Sequence, residues 1–288
     1  MKPKVSLIIS VLDQISYTKK CLRAICETLN GKIEYEVLIV DDGSKDETIE
    51  YLSSLKHPFR VIYNSEKKGF ARNNNQAASQ AKADFLCLLN NDVFVDGDWL
   101  IPMVEFFGEK KNVGVVGNVQ RLAGSKRYDH MGVVFGPKGN PRHYGQGFYH
   151  RPFKGEVRQW SAVTAACCVV RKVDFLKING FNEIFLNGCE DVDLCLKYNR
   201  LGYRNYVFHD IIVDHVKGAS EGRKRYNEHN SKTLLELWGE EIRKSESVKD
   251  QILHAQNYIY LGFTKPFSTN FWKWLEAFLL YLRLKRLK

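Results

Sequence analysis

Apolar and polar blocks alternate along the first ninety or so residues with lengths that predict strands and helices in turn. Val5-Ser6-Leu7-Ile8-Ile9-Ser10-Val11 is a β-branched run suited to a buried strand. Asp13 to Thr18 reads as a polar turn. From Thr18 to Leu29 the apolar residues Cys21, Leu22, Ile25 and Leu29 share one helical face, and Asn30-Gly31 supplies the stop. A second strand, Tyr35 to Val40, runs into Asp41-Asp42-Gly43-Ser44, after which Asp46 is placed to cap a helix carrying Ile49, Leu52 and Leu55. The third unit joins the strand Phe59 to Asn64 to an Ala-rich helix ending near Ala83. The fourth strand, Phe85-Leu86-Cys87-Leu88-Leu89, stops abruptly at Asn90-Asn91-Asp92. Four such units predict an α/β fold, a doubly wound half-domain whose ligands bind at the carboxyl edge of its sheet.

The polar residues at those strand ends are the first candidate chemistry. A carboxylate at the edge, Asp92, suits Mg2+ or Mn2+ with phosphate oxygens as co-ligands. A polar turn closing the strand accounts for the same three residues. Asp42 is placed to accept the imide N–H of a uracil or thymine base, and turn chemistry with helix capping is the competing reading. Gly69 lets the backbone approach a ligand, and Arg72 in the following first turn can pair with phosphate.

Composition narrows the classes. The 288 residues are 44% hydrophobic and 26% charged, which excludes a disordered chain. A net charge of +10 favours nucleotide phosphates, other polyanions or an acidic membrane surface. Zinc-finger spacing, RNP-like aromatic motifs and a long basic arm are absent from the sequence, so nucleic acid is not the expected partner. Cys87, Cys167 and Cys168, three of seven cysteines, sit inside apolar runs as reduced core residues do. Together with an N-terminus lacking a signal-peptide pattern, they give a cytoplasmic expectation.

Further motifs follow in order. Ser6-Leu7-Ile8-Ile9, the Val-Asp-Asp-Gly-Ser-x-Asp-x-Thr of residues 40 to 48, Gly69 through Asn75, and the strand ending at Asp92 come first. Thr164 to Arg171, Gly180-Phe181-Asn182-Glu183, Glu190-Asp191-Val192-Asp193-Leu194-Cys195 and Val213-Asp214-His215 complete the set. Over roughly residues 4 to 240 this order resembles a family 2 glycosyltransferase. The resemblance implies the A-type nucleotide-sugar fold, a Rossmann-like mixed sheet flanked by helices, and an inverting transfer from a UDP- or dTDP-sugar. It places Asp92 as the metal carboxylate and His215 as a second ligand or diphosphate contact. Asp191 becomes the general base, with Glu190 beside it positioning acceptor or helix. Asp193 is assigned to the first-turn role that acidic residues take in any helix. Ser10, Asp13, Asp42, Gly69, Arg72 and Asn91 fall on the nucleotide side. Relatives in the resembling branch, rhamnosyl-type transferases among them, imply a saccharide or lipid-linked acceptor in surface-polysaccharide assembly.

The chain departs from the family pattern in three places. Asn90-Asn91-Asp92 stands where a second carboxylate is usual, Ser10-Val11-Leu12-Asp13 replaces Pro-x-Tyr-Asn, and Asn182 replaces an Asp. Two alternatives are a nucleotidyltransferase, for which Val11-Leu12-Asp13-Gln14 offers no phosphate loop, and a catalytically silent module binding nucleotide sugar or anionic lipid.

The expected organisation is a catalytic domain over 1–240, with a nucleotide-sugar half (1–118) and an acceptor half (119–240), and a helical appendage over 241–288. Residues 121 to 160 read as a variable excursion shaping the acceptor pocket, with Trp160 at its end as an acceptor contact; a surface loop with a hairpin is the competing reading. Lys217 to Arg225 has the composition of a mobile flap over a diphosphate, or of a solvated charge run. Helices are expected from Tyr226 to Trp238 and from about Glu246 to Tyr260. The segment 271–288, aromatic and then basic, reads as a helix lying in an anionic membrane interface, or as one docked on the core or a second subunit.

Overall fold

The computed structural model describes residues 4–136, 138–216, 223–245, 248–268 and 270–282. Its first half follows the alternation read from the sequence. Strands β1 (Val5–Val11), β2 (Tyr35–Asp41), β3 (Phe59–Tyr63) and β4 (Phe85–Leu89) run parallel in the order β4-β1-β2-β3. Helices α1 (Ile15–Leu29), α2 (Thr48–Ser53) and α3 (Phe70–Gln80) connect them. Helix α1 begins three residues ahead of the expected Thr18, because Asp13 and Gln14 both adopt positive φ, 53° and 62°, and turn the chain within two residues.

The second half adds β5 (Val93–Phe94), α4 (Ile101–Glu109), β6 (Val113–Leu122), β7 (Tyr128–His130), β8 (Val133–Phe135), β9 (Pro141–His143), β10 (Val157–Trp160) and β11 (Cys167–Arg171). Then come α5 (Lys172–Lys177), α6 (Glu190–Arg200) and β12 (Arg204–His215). The main sheet, ten-stranded among the described residues, reads β10-β12-β6-β11-β4-β1-β2-β3. Strand β11 is antiparallel to both of its neighbours, so the sheet is mixed.

Side chains alternate across this sheet. Leu7, Ile9, Val37, Ile39, Cys87 and Leu89 pack with α1 and α4, while Ile8, Leu38, Leu86 and Leu88 pack on the other face with α3, α5 and α6.

Two features of the second half position the site. Strand β11 pairs with β6 at Val116 and Gly117, whereas β7 pairs with it at Gln120 and Arg121. With β12 along the other edge of β6, β11 and β7 share one edge, and an opening lies where one leaves and the other begins. The second feature is an irregularity in β12. Phe208 pairs with Asn118 and Ile212 with Val119, so residues 209–211 bulge out of the ladder before pairing resumes through His215.

The segment 121–160, read as a variable excursion or a surface loop with a hairpin, is structured throughout its described length. It holds β7 to β10, includes the two-stranded β8-β9 hairpin, and buries Tyr144, Phe148 and Trp160 in an aromatic layer. Helices α7 (Asn227–Ser245) and α8 (Val248–Thr264) cover this layer and join the core through Leu234, Trp238, Ile242 and Leu253. The expected boundary at residue 240 falls inside α7. The Gly145 N–H donates to Asn257 Oδ1 (3.0 Å), and the Tyr149 N–H to the Tyr260 hydroxyl (3.2 Å), tying α8 to the excursion. Helix α9 (Phe271–Tyr281) lies against α8. Among the described residues no helix is long and apolar enough to cross a membrane.

Candidate active site

A cleft of about 230 Å3 opens where β11 and β7 part. Asp92, His215, Glu190 and Asp191 all line it, together with Phe70, Thr164 and Asn187. Asp92 sits in the turn between β4 and β5, and β5 then pairs antiparallel with the end of β12, Val93 opposite His215. Val216 N–H donates to the Asp92 carbonyl at 3.0 Å and closes this junction. As a result Asp92 Oδ1 lies 3.4 Å from His215 Nε2, and His215 Nδ1 is 3.0 Å from Gln120 Oε1. Both side chains are nearly buried, at 8% and 6% exposed.

Helix α6 supplies the opposite wall. Its first turn carries Glu190, Asp191 and Asp193 after Cys189, whose left-handed φ of 71° turns the chain into the helix. The helix dipole favours carboxylates at that end. Asp191 Oδ2 accepts from the Ala165 N–H (3.3 Å) and Oδ1 from the Val192 N–H (2.8 Å), which fixes the carboxylate between α6 and the chain leading into β11. Glu190 Oε2 accepts from the Gly188 N–H at 2.5 Å and shapes the turn before the helix. Asp193 points away from the cleft and accepts from Trp238 Nε1 (2.8 Å), with Lys197 at 3.1 Å, so it joins α6 to α7.

The nucleotide-side residues form a polar chain along the same sheet edge. Ser10 Oγ accepts from Asn73 Nδ2 (2.8 Å), Asn73 Oδ1 accepts from Asn64 Nδ2 (2.8 Å), and that amide also reaches Asp42 Oδ1 (3.3 Å). The buried Asp42 carboxylate accepts the N–H groups of Lys68 (2.7 Å) and Gly69 (3.0 Å), holding the loop before α3 against the end of β2. Gly69 takes a φ of 89° there, a left-handed conformation that glycine adopts without penalty, and Phe70 after it reaches the cleft. Asp13 Oδ1 accepts from the N–H groups of Lys45 (2.6 Å) and Asp46 (3.3 Å), bridging the loops after β1 and β2.

Ser10, Asp13, Asp42 and Gly69 hold the neighbouring loops without lining the cleft, and three further expected residues, Arg72, Asn91 and Trp160, do not line it either. Arg72 is exposed and pairs with Glu183 at 3.0 Å. Asn91 Nδ2 turns toward α1 and donates to Thr18 Oγ1 at 3.0 Å. Trp160, expected at the acceptor, is 3% exposed and packs inside the aromatic layer with Tyr144, Phe153 and His209. Its large ring is more stable against that layer than against water, and Gly132 leaves room for it. Residues 217–222 of the expected flap lie outside the described residues, as does the basic run 283–288.

The reading by motifs missed Asp129 and His143. They come from β7 and β9 and line the cleft on the side away from β11. Asp129 is 1% exposed, accepts from Gln146 Nε2 (3.0 Å) and lies 3.7 Å from His143 Nδ1. Asp129 comes there through the pairing of the three-residue β7 on β6, and His143 through the β8-β9 hairpin, and no local pattern encodes either.

Among the described residues no group of three or more His, Cys, Asp or Glu side chains converges as a metal cage. Asp92 and His215 are nonetheless a compatible ligand pair. Two ligands about 2.1 Å from one ion and at right angles lie about 3.0 Å apart, close to the 3.4 Å found between them.

The family model described as glycosyl transferase family 2 matches residues 6–176, more than half of the chain. The chain belongs to glycosyl transferase family 2. The matched span holds the nucleotide side and Asp92, and Glu190, Asp191 and His215 lie beyond it. Two relatives align over longer stretches. O-antigen biosynthesis protein RfbC of Myxococcus xanthus is 33% identical over 230 residues, covering 76% of this chain and 18% of RfbC. Rhamnosyltransferase WbbL of Escherichia coli K12 is 26% identical over 241 residues, covering 77% of this chain and 88% of WbbL. The chain thus spans less than a fifth of the length of RfbC. The crystal structure of GalNAc-T7 with UDP, GalNAc and Mn2+ superposes with a TM-score of 0.68 at 15% identity, covering 88% of this chain and 51% of that one. The fold of this family 2 member is the A-type glycosyltransferase fold.

Proposed function

We propose that the protein is an inverting, metal-dependent glycosyltransferase. It moves a sugar from a UDP- or dTDP-linked donor to a hydroxyl of a saccharide or lipid-linked saccharide in cell-surface polysaccharide synthesis. The observation that carries this reading is the shared cleft, with the Asp92–His215 pair on one wall and Asp191 on the other. Names of the relatives, O-antigen biosynthesis and rhamnosyl transfer, support the polysaccharide context.

In this scheme Asp191 accepts the proton of the acceptor hydroxyl as its oxygen attacks the anomeric carbon. The bond from that carbon to the diphosphate oxygen breaks, and the nucleoside diphosphate leaves with the bonding electrons. One displacement at one carbon inverts its configuration. Mn2+ or Mg2+ held by Asp92 and His215 would neutralise the leaving diphosphate. Glu190, through Gly188, positions the start of α6 and hence Asp191. The loop that Asp42 clamps holds Gly69 and Phe70 beside the donor. Peripheral attachment at the inner face of a cell membrane accords with a lipid-linked acceptor.

Calorimetric titration with UDP, dTDP, GDP and CDP, each with and without Mn2+, tests the donor side. Product NMR with the donor so identified tests the inversion. Absence of binding to every nucleotide would favour the silent-module reading, and a product of retained configuration would sink the single displacement.

A further inference from the structure

Helix α9 turns its apolar side toward solvent. It touches α8 through Ala277 and Leu280, which pack with Ala255, Tyr258 and Ile259. At 3.6 residues per turn, Phe271, Trp272, Leu275, Phe278, Leu279 and Leu282 fall away from that seam, and none of them is polar. Trp272 is 74% exposed and Phe271 60%. The surface continues onto the end of α8 and the turn after it, where Phe263 is 72% exposed and Phe267 wholly so. The rings of Phe263, Phe271, Trp272, Trp274 and Phe278 touch in series, with centroids 5.6 to 6.2 Å apart. A globular protein directs polar residues outward on a surface helix, and a continuous apolar patch marks an interaction site.

Charge selects the occupant. Residues 260 to 288 contain Lys265, Lys273, Arg283, Lys285, Arg286 and Lys288 against Glu276 alone. Glu276 is half-buried, and its charge is felt at His254 of α8. Two copies meeting through this region would bring together segments that each carry a formal excess of five positive charges in sequence. An anionic lipid surface satisfies both halves of the pattern, aromatic rings at headgroup depth and cations against phosphate.

We propose that the aromatic face of α9, with Phe263 and Phe267, seats the protein in the headgroup layer of an anionic bilayer. This docking stands on the surface alone and needs no part of the glycosyltransferase reading. It also has a structural link to the cleft. Asn257 and Gln256 of α8 bond the His143 carbonyl (3.4 Å) and the Tyr144 hydroxyl (3.4 Å), and His143 lines the cleft wall.

The test floats the whole chain with vesicles of phosphatidylglycerol and phosphatidylcholine in equal parts, and with phosphatidylcholine alone. The chain rises with the anionic vesicles only, its tryptophan emission shifts to the blue, and added salt weakens the binding. The variant Phe267→Ser/Trp272→Ser partitions about tenfold more weakly, with unchanged circular dichroism. Failure of the wild-type chain to float, equal flotation with both lipids, or unchanged partition of the variant overturns the proposal. So does a dimer, seen by light scattering, that the same two substitutions dissolve.

Discussion

Asp92 Oδ1 and His215 Nε2 lie 3.4 Å apart because a two-residue strand, β5, lays the chain after Asp92 against the end of β12. With no third side chain converging on the pair among the described residues, a metal held there under the proposed function would lean on the oxygens of the diphosphate. The expected outcome is cooperative binding of metal and nucleotide. Calorimetry finds UDP or dTDP tightened by Mn2+, Mn2+ alone weak, and the coupling abolished in Asp92→Ala and in His215→Ala. Chelation with EDTA stops transfer, and Mn2+ restores it.

In Asp191→Asn the single amide oxygen keeps one of the two backbone hydrogen bonds, from Ala165 or from Val192, because the amide nitrogen only donates. The variant folds and binds nucleotide like the wild type, while kcat falls by about 10² to 10⁴. Turnover within a factor of two of wild type would remove Asp191 from its role as base.

Asp129 lines the cleft beside His143 with its carboxylate almost wholly buried, and under the proposed function this side receives the acceptor. Asp129→Asn raises the acceptor KM about tenfold, the effect of losing one charge-assisted hydrogen bond, and leaves nucleotide affinity unchanged. A shift in donor KM instead would move Asp129 to the other substrate.

The interior position of Trp160 has a consequence for stability. A Cβ on Gly132 would stand 2.0 Å from Trp160 Cδ2, at a φ of 136° that suits glycine. Gly132→Ala therefore costs about 3 kcal/mol, read as a lower urea midpoint. Trp160→Phe destabilises as well, with the acceptor KM unchanged.

Three buried histidines set a lower pH limit on the fold. Burial first, and then Arg158 and Arg151, push His209 down to about 4; burial and Arg142 do the same to His254; burial and His143 hold His130 well below its usual range. Each is neutral in the folded protein at pH 6, whereas the unfolded chain takes up protons below about 6.5. Stability is therefore full above that pH and is lost as pH falls from about 6.5 toward 4, by at most about 1.4 kcal/mol per pH unit for each histidine. Thermal melts at pH 7 and pH 5 measure the loss, and His254→Gln, which cannot titrate, flattens it.

The four leading strands were readable because each is a short, largely apolar run ended by turn residues; β1, β2 and β4 are buried on both faces, and the edge strand β3 is half-buried. Asp92, Asp191 and His215 were singled out because their neighbours form recognisable local motifs, and the fold brings all three to one cleft. Trp160 was misplaced because its position depends on residues far along the chain, Tyr144, His209 and the cover of α8, and an aromatic near a cleft motif looks the same whether it points in or out. Asp129 and His143 were invisible for the same reason. Asp129 reaches the cleft through the pairing of β7 with β6 and His143 through that of β9 with β8, and neither residue carries a motif.

The three residues that bulge from β12 give the fold a place to absorb change. Arg151 and the Gly155 N–H engage Asp210 inside the bulge, and pairing resumes at Ile212 before the chain reaches His215. A residue gained or lost there alters how the loops around Arg151 and Gly155 are anchored while the strand beyond keeps its alignment. Change upstream is taken up in that slack, and His215 at its far end keeps its place beside Asp92.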